Sequence, residues 1–259
     1  MPENGRRFPP PAPLAENGRR AAVLLVRPQA RAAADSAAWQ AAGWQGIAFG
    51  VMRIEPLPER HSILANLFQT ASALFWVSPS AVEAAQPFFT EHVLSLPHIA
   101  VGRTTARTLR RAGCGQIHCP QDGNDSEAAA ALPVWDTLPA GAAVGIIRGE
   151  GGRGWLAAQL RRRGLDVHFG EIYRRVPQTP DWTVFQTADV RAVWITSREM
   201  VRLFFDRAPP EMMQTLQSLI YFTHHPRIAA DLHAAGVRQI ETAGMPDAVI
   251  LNPDTENPS

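Results

Sequence analysis

The feature that most constrains the fold of this chain is an internal duplication with an offset of about 120 residues. The apolar run Val23–Arg27 returns as Val144–Arg148, so the two closing arginines lie 121 residues apart. Each apolar run is followed by a helical segment, and the glycines placed at the ends of these segments, Gly43 and Gly164, are also 121 residues apart. Two landmarks at one offset indicate that the chain contains two related halves.

Two further landmarks support the duplication. Ser78 and Ser197 each end an apolar run and are 119 residues apart, and segment 106–113 returns at 229–236 with an offset of 123. This period is too long for a solenoid. Short apolar β-rich runs alternate with Ala- and Leu-rich helical ones, which predicts α/β layers. We therefore expect two similar lobes, each a parallel sheet flanked by helices, with the ligand site in a cleft between them.

Composition excludes several classes of protein. The chain has 259 residues, 46% of them hydrophobic, and a formal net charge of +1. Such a balance argues against nucleic acid or an anionic membrane as a partner. All 25 basic residues are arginine, so Schiff-base chemistry on lysine and a lysine-bearing phosphate loop are excluded.

The sequence also predicts a cytoplasmic protein without a metal centre. Cys114 and Cys119 match no common zinc spacing, and the histidines are scattered without ligand spacing. The apolar stretch 21–26 is cut short by Arg27 and Pro28, so it does not resemble an export signal. No run approaches the ~20 apolar residues of a membrane helix.

Both ends of the chain are rich in residues that cannot form a core. Residues 1–19 and 252–259 contain mostly Pro, Gly, Asn and charged residues. Segments of this composition bury too little apolar surface to order themselves. We expect both to be disordered tails.

Hydroxyl residues stand where buried strands pass into helices. Ser78 precedes Pro79, and Ser197 precedes the helical run 198–206. Serine at the N-cap, and proline directly after it, are typical of a helix start. Capping alone accounts for both serines. Ligands, however, bind at the carboxyl ends of parallel strands, where helix amides attract anions, so capping and carboxylate binding are compatible.

A third strand-to-helix junction uses glycine and threonine. Gly102 and Thr105 follow the apolar residues 99–101. In the other half the equivalent positions are His225 and Ile228, so both the glycine and the hydroxyl are missing. The two halves are therefore expected to bind a ligand differently.

The segment Gly149–Gly154 provides an alternative interpretation. It spells G-x-G-x-x-G after a strand and before a helix, with Glu171 at about the distance of a ribose-binding acid. This pattern favours a Rossmann-type nucleotide-dependent enzyme. Against that interpretation, arginines flank or interrupt the loop, and the matching junction at Arg27 has no glycine. A non-catalytic bilobal ligand-binding protein is the other alternative.

Tyr173 lies where the duplication requires the chain to pass from one lobe to the other. It belongs to the segment 171–177, and Tyr221 is the only other tyrosine of the chain. A packed hinge tyrosine and a proton donor facing the cleft are both consistent with this position.

Taken in order, these motifs resemble the uroporphyrinogen-III synthase family over residues 21–250. The matching pieces also include Ser126 before a helix and Thr196 beside Ser197. The resemblance implies a discontinuous first lobe, 20–52 with 177–251, and a second lobe, 53–176. Two linker strands would join the lobes, and Tyr173 would face the cleft from one of them.

The resemblance also implies a reaction. Members of this family are hydro-lyases of haem biosynthesis that cyclise hydroxymethylbilane to uroporphyrinogen III, inverting the terminal pyrrole and losing water, without a cofactor or metal. By motif, Tyr173 would be catalytic. The protein would be a monomer, and its only partner would be this small-molecule substrate. The implied substrate-binding residues are Arg27, Ser78, Gly102, Thr105, Ser126, Arg148 and Ser197.

Overall fold

The computed structural model describes residues 20–123 and 125–242. These residues form two compact units. Unit 1 contains the described residues up to Arg53 and from Val176 onward, and unit 2 is the continuous segment Ile54–Arg175. The tails expected at 1–19 and 252–259, and residues 243–251 of the expected first lobe, lie outside the described residues. The family resemblance predicted divisions after residues 52 and 176. It remains a prediction that each unit folds as a domain of its own.

Eleven strands occur in the described residues. In chain order they are β1 (Ala22–Val26), β2 (Gln45–Ala48), β3 (Met52–Pro56), β4 (Ala73–Trp76), β5 (His98–Ala100), β6 (Ile117–His118), β7 (Ala143–Gly149), β8 (Asp166–Pro177), β9 (Val190–Ile195), β10 (Ile220–Thr223) and β11 (Gln239–Thr242).

The α-helices in the described part are mostly short. In chain order they are α1 (Gln29–Ala41), α2 (His61–Thr70), α3 (Pro79–Ala85), α4 (Glu91–Ser95), α5 (Arg103–Arg111), α6 (Ser126–Ala130), α7 (Trp155–Arg162), α8 (Val184–Thr187), α9 (Arg198–Asp206), α10 (Met213–Ser218) and α11 (Pro226–Ala234). Over residues 20–123 and 125–242, none of them is long and apolar enough to cross a bilayer.

Each unit is built on a largely parallel sheet. Unit 1 has the strand order β11-β10-β9-β1-β2, with every pair parallel. The second sheet has the order β3-β8-β7-β4-β5-β6, and β4 to β8 are parallel. The long strand β8 and its neighbour β3 contain the two points at which the chain passes between the units. The predicted pair of parallel sheets flanked by helices is confirmed.

The duplication reappears as a shared strand order. At the sequence offset, β1 corresponds to β7, β9 to β4 and β10 to β5. When the two sheets are compared, every strand corresponds to its counterpart in the other half: β11-β10-β9-β1-β2 matches β6-β5-β4-β7-β8. The first two strands of each half therefore pair with the last three strands of the other half. The duplicated halves have exchanged their leading β-α-β segments.

Both faces of each sheet are covered, which explains the continuous apolar runs in the sequence. All five residues of β1 are buried, as is typical of a parallel strand packed on two sides. In unit 1, Leu24 and Val26 belong to a cluster that includes Phe204 and Tyr221. Val23 and Leu25 face a second cluster, which contains Trp39 and Trp194. Unit 2 has two comparable clusters.

A buried histidine lies within the core of unit 2. The side chain of His98 is fully buried, and its Nδ1 accepts a hydrogen bond of 2.9 Å from Trp76 Nε1. Its Nε2 lies 2.9 Å from the Val93 carbonyl oxygen, so this nitrogen carries the proton and donates it. Burial lowers the pKa of His98 to about 4, outweighing the opposing hydrogen bond to Val93.

This burial predicts that acid destabilises the protein. In the unfolded chain His98 regains its ordinary pKa of 6.5, so between pH 6.5 and about 4 only the unfolded chain binds the proton. The free energy of unfolding should fall by about 1.4 kcal/mol per pH unit across that window because of this one group. Urea titrations between pH 7.5 and 4.5 measure the slope. His98→Gln should flatten it by that amount, and His92→Gln, at an exposed position, should not. Equal slopes for parent and His98→Gln would contradict the prediction.

Candidate functional site

Strand order locates a ligand-binding edge in each unit. Open parallel sheets bind ligands at the carboxyl ends of the strands, where the order of the strands reverses direction. In unit 1 this reversal lies between β1 and β9, which are followed by Arg27 and Ser197. In unit 2 it lies between β4 and β7, which bring Ser78 and Arg148 to the edge. Four of the predicted substrate residues thus lie at the reversals.

Both predicted serine caps are confirmed. Ser78 Oγ accepts a hydrogen bond of 3.2 Å from the Ala81 N–H at the start of α3. Ser197 Oγ accepts one of 3.2 Å from the Met200 N–H at the start of α9. Capping uses one lone pair of each oxygen and leaves its proton available. Each serine can therefore also donate to a ligand oxygen.

Arg148 is the inner member of an ion-pair network in unit 2. Its Nε and Nη2 donate to Glu171 Oε1 over 3.0 and 2.7 Å. The other oxygen, Oε2, accepts a bond of 2.9 Å from Arg60 Nη1, and Arg60 Nη2 donates over 2.7 Å to Glu150 Oε1. The Arg148 guanidinium also lies 3.8 Å from the ring centre of Phe169, a cation–π contact. Arg148 is therefore held in one orientation.

The two arginines keep Glu171 ionised. Burial alone would raise the pKa of the Glu171 carboxyl, but the hydrogen bonds and charges of Arg148 and Arg60 outweigh it and lower the pKa below its usual value. A carboxylate that remains charged is a constant partner for both guanidinium groups at neutral pH.

The equivalent arginine of unit 1 is anchored differently. Arg27 Nη1 forms an ion pair with Asp35, on α1. Asp35 is 5% exposed and accepts a second bond, of 3.2 Å, from Trp194 Nε1. Both predicted binding arginines are thus paired within their own unit. Nothing in the local sequence marks Asp35 as the partner of Arg27 or Glu171 as the partner of Arg148.

At the third junction, the exposed residues are not the predicted Gly102 and Thr105. Gly102 is the N-cap of α5 with a φ of −175°, an extended conformation open to any residue. Thr105 is 2% exposed and points into the packed side of the helix, whereas Arg103 and Thr104 are exposed. The backbone amides at the start of α5, rather than the Thr105 hydroxyl, face the edge in this arrangement.

One expectation about helix starts needs correction. Ser126 does not precede α6 but is its first residue, and the cap is Asp125, whose Oδ1 accepts a 2.9 Å bond from the Ala128 N–H. Asp125 competes successfully for the cap because aspartate caps at least as well as serine. At α11 the N-cap position that Gly102 holds at α5 is occupied by His225, whose Nδ1 accepts a hydrogen bond of 3.0 Å from the Arg227 N–H.

Tyr173 is fully buried on β8. Its hydroxyl lies 3.1 Å from Ser78 Oγ, and either oxygen can donate. Ser78 is partly exposed, so the phenol connects with the edge of the sheet through the serine. The ring lies directly over Gly149, where a Cβ atom would be 2.5 Å from Tyr173 Cε2. Glycine at 149 is therefore required by the position of the tyrosine.

Comparisons with known proteins now place the chain. A model of the family described as uroporphyrinogen-III synthase HemD matches residues 33–248. The chain belongs to the uroporphyrinogen-III synthase family. It is 32% identical over 163 residues to uroporphyrinogen-III synthase of Escherichia coli, covering 60% of this chain and 65% of that protein, just under two thirds of its length. It is 29% identical to the Salmonella typhimurium synthase over 198 residues, 72% of this chain and 80% of that protein.

The solved structures agree in fold. Uroporphyrinogen-III synthetase from Helicobacter pylori superposes with a TM-score of 0.58 at 13% identity, over 89% of this chain and 96% of that one. The family resemblance read from the motifs is confirmed.

Family membership favours reading the glycine-rich loop as part of the synthase fold rather than as a dinucleotide-binding loop. In Gly149–Gly154, Gly151 and Gly152 adopt left-handed φ angles of 71° and 114°. Glu171, the acid that a dinucleotide enzyme would use for ribose, is occupied by Arg148 and Arg60. The nucleotide interpretation is therefore not supported.

The two thiols have no site of their own. Cys114 and Cys119 are free, and burial raises the pKa of the Cys114 thiol to about 11. A thiol with that pKa is unreactive at neutral pH. Within the described ranges, no three His, Cys, Asp or Glu side chains are grouped so that they could hold a metal ion.

The contact between Gly149 and Tyr173 predicts a steric defect. Gly149→Ala places a methyl group 2.5 Å from a buried ring, which must turn away from Ser78. We expect the free energy of unfolding to fall by about 1–3 kcal/mol, the usual cost of overpacking. The matched control is Gly154→Ala, because a Cβ there meets nothing within 4 Å. Chemical denaturation of both variants tests this, and equal stability would show that the ring is free to move.

Proposed function

We propose that this protein is a uroporphyrinogen-III synthase that cyclises hydroxymethylbilane to uroporphyrinogen III with loss of water. The carrying observation is the hydroxyl pair of Tyr173 and Ser78, 3.1 Å apart at the strand reversal of unit 2. It lies in the same unit as the arginine network around Glu171. A proton source and fixed positive groups are what a polycarboxylate with a leaving hydroxyl requires.

The chemistry asks little more of the protein. Hydroxymethylbilane carries its own leaving group, and protonation of that hydroxyl releases water and leaves a reactive azafulvene. Free in water, the azafulvene closes without inversion to the type I isomer. The protein has to hold the chain so that the inverted closure, through a spirocyclic intermediate, is faster. The proposed reaction therefore needs no cofactor.

Carboxylates on the substrate provide the means of holding it. The backbone amides at the starts of α5 and α9, behind Gly102 and Ser197, are suited to bind them. Arg27 and Arg148 add positive charge at the strand ends, and their pairing with Asp35 and Glu171 keeps that charge in place. Ser126, at the start of α6, is the remaining predicted contact. We propose further that the protein acts as a monomer in the cytoplasm.

The buried phenol supplies the proton through Ser78. A tyrosine hydroxyl can donate its proton as well as accept a hydrogen bond. Because Tyr173 is fully buried and Ser78 is partly exposed, a proton leaves the phenol by way of the serine hydroxyl. The cap that α3 requires thus also serves as the outer member of the proton path.

The activity is tested directly with freshly prepared hydroxymethylbilane. The product is oxidised, and the type I and type III isomers are separated chromatographically. We expect the purified protein to accelerate consumption and to give mainly the type III isomer. Product identical to that of the spontaneous reaction would overturn the proposed function.

The proton path is tested with Tyr173→Phe, which removes the phenol oxygen and keeps the ring. We expect turnover to fall by ~100-fold, with a larger share of type I isomer because spontaneous closure competes. Ser78→Ala should cause a similar loss, and the double variant little more, since both residues act in one path. Tyr221→Phe is the control. It also removes a buried hydroxyl, which donates to the Leu216 carbonyl oxygen over 3.0 Å, and it should leave turnover unchanged. Turnover of Tyr173→Phe within about twofold of the parent, well short of the usual penalty, would make the phenol structural.

A further inference from the structure

The ion-pair network of unit 2 becomes more exposed from one end to the other. It runs Arg148, Glu171, Arg60, Glu150, with alternating charge. The exposed fractions of these side chains are 13%, 21%, 32% and 46%. The inner pair is therefore fixed, and the outer pair, Arg60 with Glu150, is the one that a ligand can reach.

Arg60 is positioned independently of Glu150. It closes a 3-10 turn, Pro58–Arg60, directly before α2. Its Nη1 donates to Glu171, which is itself held by Arg148. Removing Glu150 would therefore leave Arg60 in place, with Nη2 free to donate to another carboxylate.

Glu150 is the replaceable partner. It is the first residue after β7, and residues 150–154 are all exposed. Its backbone N–H donates to the Tyr173 carbonyl oxygen over 2.7 Å, so the exposed side chain, rather than the backbone, is the part that can turn away from Arg60. An exposed ion pair of this kind contributes little free energy, at most about 1 kcal/mol.

We propose that Arg60 is a carboxylate-binding residue of this site and that Glu150 masks it until the substrate displaces it. The inference rests on the proposed function, which supplies a ligand with several carboxylates. A lone carboxylate competes poorly with Glu150, because a tethered partner acts at a high effective concentration. A ligand already held by its other carboxylates also presents its free carboxylate at a high effective concentration, so it can compete with Glu150. The mask thus selects polycarboxylates over monocarboxylates.

The test measures binding without turnover. Uroporphyrin III, the oxidised octacarboxylate product, is titrated into the protein and followed by its fluorescence. Glu150→Gln should tighten binding by about threefold, the scale of an exposed ion pair. Arg60→Gln should weaken it by about fivefold or more. In the Arg60→Gln background, Glu150→Gln should tighten binding only by the general effect of removing one negative charge, because there is nothing left to unmask.

Glu127→Gln is the matched control. Glu127 is also exposed, 47% against 46%, and its partner Arg153 lies in the same loop. Removing its charge reproduces any general gain in attraction for an anion. Equal tightening by both glutamine variants in the parent would overturn the proposal, and so would tightening by Glu150→Gln that exceeds the Glu127→Gln control even without Arg60. If Arg60→Gln fails to fold, the comparison of Glu150→Gln with Glu127→Gln still decides. Failure to convert hydroxymethylbilane would reject the proposed function alone, since this titration needs no reaction.

Discussion

Unit 1 depends on the parallel pairing of β1 with β9. Leu24 lies opposite Val193 and Val26 opposite Ile195, so about 170 residues of chain separate the partners. Without this pairing, β1 and β2 would have no sheet to join, and the five buried residues of β1 would be exposed to water. The equivalent pairing in unit 2 joins β4 and β7. Each central pair also creates the reversal of strand order at which four of the proposed substrate-binding residues lie.

The two ligand-binding edges share an arginine but not its partner. Arg27 and Arg148 are equivalent in the duplication, yet one is anchored from the next helix by Asp35 and the other from the next strand by Glu171. The position of positive charge at the strand end has been kept, while the means of holding it differs. The cap of α11 differs as well, because His225 stands where α5 has Gly102 and its ring nitrogen accepts the capping hydrogen bond. The duplicated edges are therefore similar in charge and different in contacts.

The sequence predicted those features that depend on local pattern. Buried parallel strands give continuous apolar runs, and Ser78 and Ser197 carry the local signature of a cap, so the sheets and both caps could be read directly. The second arginine on Glu171 could not, because Arg60 and Glu171 are 111 residues apart and meet only through the fold. Burial of Thr105 was missed for a similar reason. Two adjacent threonines look alike in sequence, and only the packed side of α5 distinguishes them.

The exchange of strands between the halves sets a waiting time during synthesis. Unit 2 is one continuous segment and is complete once Arg175 has left the ribosome. The strand β1 is made first but must wait for β9, and at 5–20 residues per second this takes on the order of 10 to 30 s. During that interval an entirely apolar strand lacks its partner on the β9 side. Residues 22–48, which carry β1 and β2, are therefore left without a complete sheet until the strands of the other half have been made.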